Sequence, residues 1–155
     1  MLTYKLVHLI EYHSENLAAT LVHRVEHSER AGSYHNGIEQ ELKKVVSEIY
    51  HHLGAWLLNK TESDIEQRYT AIGSRRAQQG VPLSELVWVI FLTKRNLAEF
   101  INDVSIPGRA VDASERQEML QLLDLFFEEA IHAAVVGYGW AAESAEKAEV
   151  LKTHA

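Results

Sequence analysis

The 155-residue sequence contains no cysteine, two prolines and eight glycines. The lack of cysteine excludes disulfides, Cys-ligated zinc and thiol catalysis, and it fits a reducing compartment. With so few residues that interrupt regular structure, long helices are favoured over many short strands. No apolar run reaches the ~18 residues that a membrane span needs. The start, Met1 to Lys5, has no apolar stretch followed by a small-residue cleavage site, so no signal peptide is read and the expected location is the cytoplasm. There is no Gly-rich phosphate loop, no Gly-x-Ser-x-Gly and no His-Glu-x-x-His, so no enzyme is expected. A formal charge of −7 disfavours a nucleic-acid partner on long-range electrostatics. No repeat or low-complexity segment is present.

What is there is ordinary for a globular chain: 46% hydrophobic and 24% charged residues, enough for one domain with a core of its own. Apolar residues at helical spacing predict about five helices. The first runs from Leu2 to about Glu29, with His13 on its apolar stripe and His8, His23 and His27 off it. Arg30 to Gly37 reads as a loop. The second helix spans Ile38 to Asn59, with His52 at the edge of its buried face. The third follows an N-cap at Thr61 or Ser63 and carries a thin stripe of Ile65, Tyr69, Ile72 and then Arg76. The fourth runs from Pro82 to about Val104 and is apolar throughout Leu86–Leu92. A loop from Ser105 to Ala113 holds Pro107 and Gly108. The fifth helix starts at a Ser114 cap and runs to about Tyr138, or on to Val150, with Gly137 and Gly139 interrupting it. The expected domain is 1–140, followed by a polar tail, 141–155, that is either an exposed helix or disordered. An antiparallel bundle and a globin-like packing both fit these lengths.

The most specific stretch is the turn between the third and fourth helices. Gly80 adopts positive φ without steric cost. Val81 is pushed out of the α region by Pro82, which itself suits a first helical turn. Arg75 and Arg76 near one helix C-terminus and Glu85 in the first turn of the next are both favourable with the helix dipoles.

An arginine that continues an apolar stripe must be paired or wet. Arg76, Glu85 and Lys94 are therefore the candidates for a buried polar cluster. In one reading Arg76 and Glu85 pair and staple the turn. In the other, Arg76 and Lys94 line a pocket for a small anionic ligand, with Tyr69 and Trp88 as aromatic walls. Lys94 also has the option of snorkelling to the surface.

The nine histidines raise a haem or metal alternative, for which His13 and His52 are the candidates because they lie on or beside buried faces. Glu48-x-x-His51 and Glu129-x-x-His132 have the spacing of di-iron ligands. Their helical phase puts them outside the apolar stripes, so no metal site is assigned.

The pattern Tyr69-x3-Gly73-x2-Arg76-Ala77-x2-Gly80-x-Pro82-Leu83-Ser84-Glu85 resembles the N-terminal sensor domains of the RsbR co-antagonist family, in particular the RsbRD N-terminal type. The likeness extends from the helix containing His8 to about Tyr138. It implies an all-helical, globin-like or bundle-like sensor without haem, which feeds a signal into a partner-switching or kinase pathway of the stress-response kind. In the family an output domain follows; none is expected after Ala155, so sensing, through a ligand or a protein partner, is the role that carries over. The fifth helix is apolar over most of its circumference between Met119 and Tyr138. It reads either as a second central helix or as an interface, and a homodimer is expected in which the first or fifth helix supplies much of the contact; the resemblance also implies pairing.

Overall fold

A computed structural model describes residues 2–58, 62–104 and 113–153. All regular structure among them is helical: α1 (Leu2–Tyr12), α2 (Ser14–Glu26), a 3-10 segment (Glu29–His35), α3 (Ile38–His51), α4 (Leu53–Leu58), α5 (Glu62–Gln78), α6 (Leu83–Asp103) and α7 (Ala113–Thr153). No helix among the described residues is long and apolar enough to cross a membrane. The expected Thr61 cap and the Pro107–Gly108 turn lie outside the described residues, while Ser63 lies inside α5 and Ser114 inside α7.

The eight helical segments correct the expectation of about five, and the reason is tertiary. The first expected helix bends at His13 (φ −94, ψ 15) and the second at His52 (φ −103, ψ 9), both well away from α-helical ψ. The hydrogen-bond ladder persists through both bends, with His13 N donating to Leu9 O at 3.0 Å and His52 N to Glu48 O at 3.1 Å. α2 packs on α3 and α1 packs on α4. Bending the two long units at matched places keeps both contacts, which periodicity along one helix cannot report. The expected loop over Arg30–Gly37 is largely a 3-10 turn, broken at Ala31 (φ −124, ψ 33) and followed by Gly37 in the left-handed region.

α6 runs through the middle of the core, touching α2, α5, α7 and the 3-10 segment. Leu86, Val89, Ile90, Leu92, Leu97 and Ile101 are buried along it. The expectation that Gly137 and Gly139 interrupt the last helix is wrong: α7 is continuous to Thr153. Gly137 is there for proximity. A Cβ on it would lie 2.0 Å from the carbonyl oxygen of Thr70, and a Cβ on Gly73 would lie 1.9 Å from that of Ala134. α5 and α7 thus meet backbone to backbone, with Ala130, Ala133 and Ala134 buried around the contact. Close approach of this kind maximises dispersion contacts and permits Cα–H···O contacts between the two helices. The apolar surplus of α7 is met by α5, α6 and α1, while Leu125, Val135 and Trp140 stay exposed.

α5 ends in a Schellman motif. Val81 N donates to Arg76 O at 3.0 Å and Gly80 N to Ala77 O at 3.1 Å, with Gly80 at φ +77. Pro82 is the N-cap of α6. The Tyr138 hydroxyl donates to Val81 O at 2.8 Å, so the residue after Gly137 ties the turn to α7.

In an exposed helix, Gly→Ala stabilises by up to about 1 kcal/mol. At Gly73 and Gly137 the new methyl meets a carbonyl oxygen that cannot rotate away. Gly73→Ala and Gly137→Ala are therefore each expected to destabilise by about 2 kcal/mol or more. Gly139→Ala, where a Cβ meets nothing within 4 Å, should be neutral or stabilising. Urea denaturation of the three variants checks this; a stable Gly137→Ala would show that the helices do not meet this closely.

Candidate functional site

The thin stripe of α5 delivers Arg76 into the interior, one turn beyond Gly73. Arg76 is 1% exposed and is the largest fully buried side chain described. Its partner is Glu41 of α3, not Glu85: Nη1 donates to Glu41 Oε1 at 3.0 Å and to Gln79 Oε1 at 2.9 Å. Gln79 Nε2 donates to the other oxygen, Glu41 Oε2, at 2.8 Å, and Arg75 Nε reaches Oε1 from outside at 3.1 Å. The guanidinium carbon lies 5.7 Å from the ring centroid of Tyr34. Removal from water on its own would raise the Glu41 pKa. The donors Arg75, Gln79 and Arg76 together outweigh it and hold the carboxyl below its ordinary value. Burial pushes the Tyr34 hydroxyl up to about 12 despite the nearby arginine, so Tyr34 is a neutral neighbour at any physiological pH.

One donor is left over. Arg76 Nε is buried with no hydrogen-bond partner among the described residues. Arg76 also lines a small cavity of about 30 Å³, walled by residues of α3, α5, α6 and the 3-10 segment, including Tyr34, Tyr69, Ile72 and Thr93. A cavity above roughly 10–15 Å³ holds a water, whose share of the liquid is about 30 Å³. The space therefore suits a species of one to a few atoms. Beside it runs a second buried polar string: Tyr50 OH donates to Thr93 O at 3.1 Å, and Asn96 Nδ2 donates to Leu17 O at 2.9 Å.

Of the five residues picked from the sequence, the structure brings only Tyr69 and Arg76 to this cavity. Glu85 turns to the 3-10 segment, where its carboxylate accepts from Ser33 N at 2.9 Å and Ser33 Oγ at 2.6 Å. Trp88 donates through Nε1 to Ser28 Oγ at 2.9 Å and stacks under Arg30 and Arg95. Glu85 and Trp88 share an open surface groove with Glu29, Arg30 and Ser84. Lys94 snorkels to Asp124 of α7 at 2.7 Å, its side chain 33% exposed. The Arg76–Glu85 pairing expected from sequence is thus corrected: both residues bind, but each to a different element.

Sequence reasoning missed Glu41, Gln79 and Tyr34. Glu41 sits on the partly exposed edge of α3, next to buried Leu42, and nothing local marks it. Gln79 had a signal, because it lies three residues after Arg76 on the same helix face. Of the haem candidates, His13 lies half-buried between the rings of Tyr12 and Phe100, and His52 is exposed beside His51; neither lines the cavity. Glu48 pairs with Arg68, and His51 and His132 are exposed.

The family described as the RsbT co-antagonist protein rsbRD N-terminal domain matches the chain over residues 15–149. No curated protein and no solved structure matches it. The matched span contains Glu41, Tyr69, Arg76, Gln79 and the whole Gly73–Gly137 contact.

Breaking a buried pair from one side leaves a charge uncompensated, which costs about 3 kcal/mol or more. Glu41→Gln strands fully buried Arg76, so it should destabilise more than the double variant Glu41→Gln/Arg76→Met. A double-mutant cycle in urea is expected to give a coupling of about 1–3 kcal/mol; strictly additive effects would rule the pairing out. The pH dependence has a definite sign. Because the folded pKa of Glu41 is depressed, its contribution is complete above the unfolded value, about 4.3, and is lost as pH falls through the folded one. Below about pH 4.3 the wild type should lose stability faster than Glu41→Gln.

Proposed function

Because the chain belongs to the RsbT co-antagonist protein rsbRD N-terminal domain family, we propose that it is a non-catalytic sensing domain of the RsbR type. It alters a protein partner in a signalling pathway by what it binds, not by chemistry. The observation that carries this reading is the fully buried cation beside a cavity, with one donor still unmatched. A chain that needed only a core is served as well by an aliphatic residue in that place. A polar junction where α3, α5, α6 and the 3-10 segment meet instead gives those elements a shared arrangement that an occupant can bias. The occupant is a small anion or another few-atom acceptor for Arg76 Nε, since the cavity admits nothing larger.

The domain works as a homodimer. Leu125, Val135 and Trp140 on α7 are exposed, as are Val150 and Leu151 further along it, and a two-fold axis covers such side chains with one self-complementary surface.

Two measurements test these points. In thermal melts over chloride, nitrate and formate at constant ionic strength, the wild type should show a saturable rise in Tm that Arg76→Met lacks; equal responses of the two proteins would remove the anion. Light scattering at micromolar concentration should return twice the chain mass, and a monomer mass would contradict the dimer.

A further inference from the structure

The C-terminal end of α2 carries a second, unrelated constellation. His23 and His27 are four residues apart and so share one helix face, and their ring centroids lie 4.2 Å apart. Glu26 joins them. One ligand atom from each of His23, Glu26 and His27 lies within 4.8 Å of the others, and all three side chains are exposed. We propose that His23, Glu26 and His27 form a binding site for a divalent transition metal of the zinc class.

Three observations go beyond the mere presence of histidines. First, the tautomer of His27 is already set. Its Nδ1 lies 2.8 Å from the carbonyl oxygen of His23. A carbonyl only accepts, so Nδ1 carries the hydrogen and Nε2 is the nitrogen left for a metal. Metal-bound histidines are held in this way, with the second ring nitrogen donating to a carbonyl or carboxylate. Second, the spacing closes cheaply. Metal bonds of about 2.0–2.2 Å to imidazole and carboxylate place ligand atoms on one ion roughly 3–4 Å apart. One ligand atom of each group starts within 4.8 Å of the others, and the exposed side chains can turn the imidazole nitrogens and the carboxylate onto one ion by rotamer changes. Third, the local field is right. The site sits at a helix C-terminus, the negative end of the dipole. The cation within the stretch, Arg24, is paired with Glu99 of α6.

Two imidazoles and one carboxylate select borderline metals such as zinc, nickel, cobalt and copper over magnesium or calcium, which prefer oxygen ligands. Three protein ligands leave at least one coordination position to solvent. The next residue, Ser28, holds Trp88 and opens the 3-10 segment that leads to Tyr34 beside Arg76. A metal here stiffens the α2 end of that segment.

Calorimetric titration of the full chain with zinc chloride tests the site, alongside His27→Ala, Glu26→Gln and a His51→Ala/His52→Ala control. These residues are exposed, and circular dichroism confirms that each variant is folded. The expected result is one zinc per chain with micromolar affinity, weakened at least tenfold by His27→Ala, reduced by Glu26→Gln and unchanged in the control. Copper loaded at one equivalent should show coupling to two imidazole nitrogens by electron paramagnetic resonance, falling to one in His27→Ala. No zinc binding, or binding that His27→Ala leaves intact, would overturn the site.

Discussion

Arg76 carries a charge that it cannot lose in a protein, and it is almost wholly removed from water. Much of the surrounding architecture follows from meeting that demand. Glu41 on α3 must stand where its two oxygens serve Arg76 and Gln79 at once. Gln79 must lie one turn beyond Arg76, in the last turn before Gly80 reverses the chain. Tyr34 brings the 3-10 segment over the guanidinium, and Glu85 fixes that segment through Ser33. The cluster therefore links α3, α5, α6 and the 3-10 segment through polar contacts of definite geometry, which an aliphatic core does not provide.

The arginine is put there by a contact of the opposite character. Gly73 and Gly137 have no side chains, and that lets α5 and α7 approach until each backbone touches the other. The position of α5 is then set by direct backbone-to-backbone contact and not by adaptable side chains. Arg76, one turn on, inherits that position. Tyr138, adjacent to Gly137, carries the same constraint to Val81 and so to the start of α6. The close α5–α7 pair thus presents Arg76 to Glu41 of α3 and to Tyr34 of the 3-10 segment.

How much of this the sequence discloses depends on whether the signal is local. The turn at Gly80–Pro82 is legible because three consecutive residues each restrict the backbone in a compatible way. Arg76 is legible as an anomaly on an apolar stripe, and Lys94 as a chain long enough to reach solvent. The partner of Arg76 is not legible. Glu85 is near it in sequence and of the right charge, but Glu41 is near it in space, and no rule of spacing joins residues 35 positions apart. The bends at His13 and His52 are invisible for a related reason, since both sides of each bend keep helical periodicity and only the partner helix demands the break. Gly137 is misread because glycine in a helix ordinarily signals weakness, and only the approach of Thr70 shows it to be a fitting surface.

The cluster requires that the Arg76 guanidinium be sealed from water, and solution NMR reads this at one proton. Arg75 binds the same carboxylate through its Nε, but its side chain is 57% exposed, so it serves as the internal reference. The Nε–H of Arg76 should appear as a resolved resonance that exchanges with solvent far more slowly than that of Arg75. It should shift on Glu41→Gln. An Arg76 Nε–H that exchanges as fast as that of Arg75 would mean that the buried cation, and the arrangement built around it, does not exist in solution.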